Sequence, residues 1–113
     1  MTKKIAILGA GESGTGAAVL AKKQGFRVWL SDSGNIKQKY KDVLSHFEIA
    51  FEEGKHSEDL ILDADEVIIS PGIPLTAPLV QKIKAKQIPV ISEIEFAARY
   101  TNARKICITG SNG

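Results

Sequence analysis

Three stretches of this chain carry residue types that could do chemistry. The first is Gly9-Ala10-Gly11-Glu12-Ser13-Gly14, which reads G-x-G-x-x-G. It follows a short apolar run, residues 5–8, and opens an alanine-rich stretch, residues 13–24. In that context the motif binds phosphate: glycine lets the backbone turn tightly and approach the anion, and the free N–H groups of a helix start meet it. Asp32 ends the next apolar run, where an acid can bind ribose hydroxyls. The alternative is a glycine turn that only packs a helix against a strand. The motif alone does not separate NAD, FAD and UDP-linked ligands.

The second stretch is Ser70-Pro71-Gly72-Ile73-Pro74, directly after the β-branched run Val67-Ile68-Ile69. Its prolines stiffen a loop and Gly72 permits close backbone approach to a ligand, although a rigid strand-to-helix connection would use the same residues. The third is Thr109-Gly110-Ser111-Asn112-Gly113. A strand running into glycines resembles the start of a phosphate-binding P-loop, which needs a lysine and a Ser or Thr after its second glycine. Counted from Gly110 the spacing is short, and an ordinary glycine-rich terminus reads as well.

Other reactive types have structural readings. His46 and His56 lack companions at ligand spacing, so no metal site is expected. Cys107 reads as a small buried hydrophobe in an apolar strand. Phe26 and Trp29 read as core or strand-edge residues, and Lys82, Lys84 and Lys86 as a solvated helix face. Glu93 and Glu95 make no catalytic pair: one caps a helix, and the other faces its first turn, where the dipole favours an acid.

The elements that must position these residues alternate along the chain. Strands are expected at 5–8, 26–30, 48–51, 67–69, 88–91 and 105–109. Helices are expected at 13–24, 36–46 and 93–100, with one or two turns at 58–64 and a further helix beginning near Leu79. The polar residues 52–57 read as a loop. Ser92 with Glu95 is a capping box. Such alternation implies βαβ units: an α/β, Rossmann-like three-layer domain with a mostly parallel five-stranded sheet flanked by helices. Ligands of such sheets bind at the carboxyl ends of the strands, where all three stretches fall.

At 113 residues, 43% of them hydrophobic, the chain can form one core and is too short for two. A net charge of +2 with both signs dispersed argues against nucleic acid or an anionic membrane as the main partner. No apolar run approaches the ~20 residues that span a bilayer, and the start does not read as a signal peptide. A single cysteine allows no internal disulfide and fits a reducing compartment.

Taken together, the motifs resemble the Mur ligases of peptidoglycan synthesis, and within them the D-glutamate-adding branch. The family's ATP loop, T-G-T-N-G-K-[ST], is similar to Thr109-Gly110-Ser111-Asn112-Gly113 with serine for its second threonine. The branch also carries G-x-G-x-S/T-G, a strand ending in aspartate, S-P-G-I/V and, before the ATP loop, a segment ending in E-I/L-E. Here these are residues 9–14, Asp32, Ser70-Pro71-Gly72-Ile73 and Ile91-Ser92-Glu93-Ile94-Glu95. The resemblance covers the whole chain in order and spacing.

It implies a domain, residues 1–104, that binds UDP-N-acetylmuramoyl-L-alanine, followed by the first strand and truncated ATP loop of a central domain, residues 105–113. The implied substrate contacts are Gly11, Glu12, Ser13 and Gly14 at the diphosphate, with Ser13 donating its hydroxyl and backbone N–H. Asp32 and Ser33 would meet the uracil end, and Gly72 would line the facing loop. Glu12 must point to solvent to avoid repelling the diphosphate. Gly34 replaces an arginine that some members place beside the uracil. Gly110, Ser111, Asn112 and Gly113 are the implied ATP contacts. ATP and magnesium belong to the longer enzyme, with neither expected on this chain, which carries no catalytic residue and no metal ligand. A cytoplasmic monomer is implied, with apolar surface exposed near Ile94 and Phe96. Two other readings use the same glycine motif: the NAD-binding domain of a dehydrogenase, and a regulatory nucleotide-sensing module.

Overall fold

The computed structural model describes residues 3–100. Cys107, the expected strand at 105–109 and the candidate ATP loop lie outside them, as does the boundary expected at residue 104. Along the chain run β1 (Lys4–Leu8), α1 (Glu12–Lys23), β2 (Arg27–Asp32), α2 (Gln38–His46), β3 (Ala50–Glu53), α3 (Glu58–Leu62), β4 (Glu66–Ile69), α4 (Pro78–Ala85), β5 (Val90–Ser92) and α5 (Glu93–Ala98). The five strands form one sheet in the order β3-β2-β1-β4-β5, and every pairing is parallel. The α/β expectation holds, with a sheet that is wholly rather than mostly parallel.

β1 lies in the middle of the sheet, and all five of its residues are buried. Its side chains alternate between two cores, as strand pleating requires. Ile5 and Ile7 join Ala17, Ala18 and Ala21 of α1, Leu44 of α2 and Phe96 of α5. Ala6 and Leu8 join Ile61 of α3, Val67 and Ile69 of β4 and Ile83 of α4. Three helices therefore cover one face and two cover the other. Each isoleucine or leucine removed from water in these clusters contributes about 1.5–3 kcal/mol. α1 buries only small residues, Gly14, Thr15, Ala17, Ala18 and Ala21, which brings its axis close to the sheet.

Three helices stop in the same way. The N–H of Phe26, Ile49 and Ile88 each reaches back to the carbonyl of Ala21, Leu44 and Ile83, and the preceding residue's N–H bonds inside that loop. These are Schellman ends with an apolar residue closing over the last turn. The left-handed position is Gly25 after α1, but Glu48 (φ 58°) after α2 and Gln87 (φ 62°) after α4.

The largest departure from expectation is β3. It runs Ala50–Glu53, so Glu52 and Glu53 are strand residues rather than the start of a loop. β3 is an edge strand paired only with β2, and an edge tolerates acids whose side chains find partners. β2 ends at Asp32, as expected, and β5 runs on to Ser92, past its last apolar residue, because ladder pairing with Ile69 continues there. α5 ends at Ala98 rather than Tyr100. Of the apolar pair expected to be exposed, Ile94 is 78% accessible, but Phe96 is fully buried. Phe96 lies on the sheet side of α5, between the rings of Phe26 and Tyr100.

Candidate functional site

The strand order reverses direction between β1 and β4, and the loops that leave these two strands diverge. That point of an open parallel sheet forms a crevice at the carboxyl edge. Residues 9–11 leave β1 on one side of it, and residues 70–77 leave β4 on the other.

The glycine loop is held by its backbone. The Gly9 N–H donates to the Ser31 carbonyl at 2.8 Å, and the Ala10 N–H donates to Asp32 Oδ2 at 2.8 Å. Gly9 has φ +106°, which L side chains rarely adopt, and a Cβ there would lie 2.2 Å from Ser70 Oγ. Gly11 is the N-cap of α1, and the first intrahelical bond runs from the Thr15 N–H to the Gly11 carbonyl. The N–H groups of Glu12, Ser13 and Gly14 therefore belong to the first turn, where no helix carbonyl can receive them. They point out of the N-terminus of a 12-residue helix, the end carrying partial positive charge. Glu12 and Ser13 are exposed.

Gly14 has a different place from its neighbours. It is buried, and a Cβ on it would lie 1.9 Å from the Gly9 carbonyl oxygen. Its lack of a side chain serves close packing of α1 on β1, and only its N–H faces the helix start.

Asp32 uses both oxygens on backbone. Oδ2 accepts from Ala10, and Oδ1 accepts from the Gly34 N–H at 2.8 Å. It thus ties the β1 loop to the β2 loop, and each oxygen retains a further lone pair. Ser33 and Gly34 beside it are exposed. Their loop is also fastened to β3. The Gly54 N–H donates to the Gly34 carbonyl, the Ile36 N–H donates to Glu53 Oε1 at 2.8 Å, and Lys41 pairs with Glu53 at 2.5 Å. The Lys41 and Ile36 bonds hold the Glu53 carboxyl below its ordinary value, against a smaller opposing effect of burial.

Behind β2, on the opposite face of the sheet, Ser31 meets Glu52 Oε2 at 3.0 Å and His56 Nδ1 at 2.6 Å. Glu52 also receives the Ser57 N–H and hydroxyl, both at 2.6 Å. Burial works to raise Glu52, but the bonds from Ser57 and Ser31 outweigh it and hold the carboxyl below its ordinary value. Ser31 is fully buried, so this set fastens residues 54–57 over β2 and does not present a nucleophile. His56 is thus a fastening residue, and among the described residues no group of three His, Cys, Asp or Glu side chains is placed to hold a metal ion.

Across the crevice, Pro71 and Gly72 are exposed. A cavity of about 360 Å³ lies between α1 and α5 beside Pro71, lined by Ser13, Gly16 and Leu20 of α1, Pro71, and Glu93 and Ile94 of α5. A second, of about 330 Å³, lies on the other side of Pro71. Glu93 is the residue that sequence reasoning missed. It does not simply face the first turn of α5. It turns inward, is 7% exposed and accepts a hydrogen bond from Ser70 Oγ at 3.0 Å. Burial pushes its carboxyl above the ordinary value, opposed by the Ser70 bond. Glu95 does cap: the Ser92 N–H donates to it, and its own N–H donates to Ser92 Oγ.

A helix start and glycine turn at the switch point of a parallel sheet define the class: a Rossmann-like α/β domain with an open cradle of backbone donors. The family model "Mur ligase MurD-like, N-terminal domain" matches residues 3–92. The chain belongs to that family. It is 68% identical over 111 residues to a UDP-N-acetylmuramoylalanine–D-glutamate ligase of Bacteroides thetaiotaomicron, covering 98% of this chain and 25% of the relative. It is 60% identical over 111 residues to the ligase of the same name from Bacteroides fragilis, again 98% of this chain and 25% of the relative. Among solved structures, a pseudomurein peptide ligase type C from Methanothermus fervidus superposes with a TM-score of 0.76 at 26% identity, over 88% of this chain and 21% of that one. The chain thus spans about a quarter of the length of the curated relatives it matches. The family match does not favour the dehydrogenase reading of the glycine motif. No helix of the described residues is long and apolar enough to cross a membrane.

Proposed function

We propose that this chain is the substrate-binding part of a ligase that adds D-glutamate to UDP-N-acetylmuramoyl-L-alanine, and that it holds the uridine diphosphate of that substrate. The observation that carries the reading is the first turn of α1. Its N–H groups open at the switch point of the sheet, in a chain whose relatives at 60–68% identity are named as this ligase. The diphosphate lies over Gly11, Glu12, Ser13 and Gly14, with the Ser13 hydroxyl as an added donor. The exposed Glu12 side chain stays in solvent, away from the anion. Ser33 meets the uracil end. Asp32 meets it too, through lone pairs left over from the Ala10 and Gly34 bonds. Gly72 lines the facing loop. Gly34 offers no side chain to stack on the base.

In the whole protein, the family resemblance implies that ATP converts the substrate carboxylate to an acyl phosphate, which the amine of D-glutamate attacks. Residues 105–113 begin the ATP-binding domain, Gly110, Ser111, Asn112 and Gly113 belong to its phosphate loop, and magnesium ligands come from beyond this chain. The proposed setting is the cytoplasm, and the proposed form is a monomer. Calorimetric titration tests the reading. UDP-N-acetylmuramoyl-L-alanine and UDP should bind, and NADH should give no energy transfer from Trp29. Binding of NADH with no binding of UDP would overturn it.

A further inference from the structure

Glu93 occupies a position that the proposed binding chemistry does not use. It is the first residue of α5, where the reciprocal Ser92–Glu95 bonds fix the backbone. Acids are rarely this buried unless paired, and an apolar residue would avoid the desolvation. Burial does push the Glu93 carboxyl upward, so the site bears that cost. What an acid supplies here is an acceptor where three segments meet.

Glu93 Oε2 takes the Ser70 hydroxyl at 3.0 Å, and the same oxygen lies 3.3 Å from where a Gly14 Cβ would be. Ser70 Oγ in turn sits 2.2 Å from where a Gly9 Cβ would be, and the Ser70 N–H donates to the Leu8 carbonyl. The serine and the acid therefore fill the space left by two glycines of the G-x-G-x-x-G motif. Glu93 also lines the cavity that Ser13 and Pro71 border, and Ser70 lines the neighbouring one.

We infer that Glu93 is a positioning residue: by accepting from Ser70 it fixes the spacing between the glycine loop and the residue 70–74 loop. Its consequence for ligand binding rests on the reading of that gap as the diphosphate site; its effect on the loops does not. Without the acceptor, the Ser70 hydroxyl loses its partner and both loops gain freedom. Glutamine retains a carbonyl oxygen at the same reach, so the inference requires an acceptor and not a charge.

The test compares the unaltered chain with Glu93→Ala, Glu93→Gln and Ser70→Ala. Amide hydrogen exchange is read at Ala10, Gly11, Gly14, Gly72 and Ile73, with β2 amides as the internal reference. UDP affinity is read in parallel. Glu93→Ala should speed exchange in both loops but not in β2, and should weaken UDP binding about tenfold, equivalent to about 1.4 kcal/mol. Glu93→Gln should restore both readouts. Ser70→Ala should reproduce the loss, and the double variant should be no worse than either single one, since the two act through one bond. Unchanged loop exchange in Glu93→Ala, an equal loss in Glu93→Gln, or additive losses in the double variant would overturn the inference. If Glu93→Ala does not fold, the contrast between Glu93→Gln and Ser70→Ala decides. Failure of the unaltered chain to bind UDP would remove the substrate reading, and the exchange comparison would still decide the positioning role.

Discussion

Replacing Gly14 by alanine tests how closely α1 is seated on β1. The added Cβ would lie 1.9 Å from the Gly9 carbonyl oxygen and 3.3 Å from Glu93 Oε2, where ordinary contact begins near 3.4 Å. The first obstacle is backbone that is itself pinned, because the Gly9 N–H is bonded to Ser31 and the next N–H to Asp32. The helix start must therefore back away from the strand by more than an ångström. Overpacking of this kind costs about 1–3 kcal/mol, and here the rigid obstacle puts it at the upper end. Alanine's better helix propensity offsets about 1 kcal/mol of that. The net expectation is a loss of about 2 kcal/mol, or a fall in melting temperature of roughly 10 °C for a domain of this size. Gly16, two residues along the same helix, is the control. A Cβ there meets nothing within 4 Å, so Gly16→Ala should stabilise by about 0.5–1 kcal/mol. Thermal and urea unfolding followed by circular dichroism reads both. Equal or higher stability for Gly14→Ala would refute the steric argument.

Other substitutions probe the loops and the helix ends. Asp32→Ala should destabilise by about 2 kcal/mol, because two N–H groups lose a charged acceptor, and exchange at Ala10 and Gly34 should rise. Glu48→Gly should stabilise by about 1 kcal/mol in urea unfolding, since the left-handed residue after α2 then carries no Cβ. For Glu53, whose folded carboxyl sits below 4.5, the stabilisation is present above that pH and is lost as pH falls through the folded value. Melting temperatures of the unaltered chain and Glu53→Gln should therefore converge on acidification. Glu93, raised above 4.5, has the opposite sign: Glu93→Gln should gain on the unaltered chain as pH rises from 4.5 through the folded value.

Much of this architecture is local in origin and so was legible. Ile5-Ala6-Ile7-Leu8 can only be a strand buried on both faces, and Gly25 marks the end of α1. Ser92 and Glu95 announce α5 through a reciprocal cap. The crevice was legible because the glycine motif and the Ser70-Pro71-Gly72 stretch each followed a strand. What was hidden depends on distant neighbours. Glu52 and Glu53 pair with Ser31 and Asp32 of β2, and no apolar alternation betrays a polar edge strand. That Asp32 would clasp Ala10 follows from two strands lying side by side, which the residue type alone does not state. Glu93 looked like a dipole-favoured acid of a first turn, and its local sequence carries nothing to say that it turns inward. The one available signal was Phe96, three residues on and so on the same helix face, whose ring is fully buried. Taking Phe96 with Ile94 as exposed obscured that signal.

The central claim concerns the backbone donors at the start of α1. The direct measurement is a titration of the ¹⁵N-labelled chain with UDP, followed by amide resonances. Shifts should concentrate at Gly11, Glu12, Ser13 and Gly14, with smaller ones at Ser33 and Gly72 and little change in β3. Saturating UDP that leaves residues 11–14 unmoved, or moves only residues on the α3–α4 face, would contradict the account.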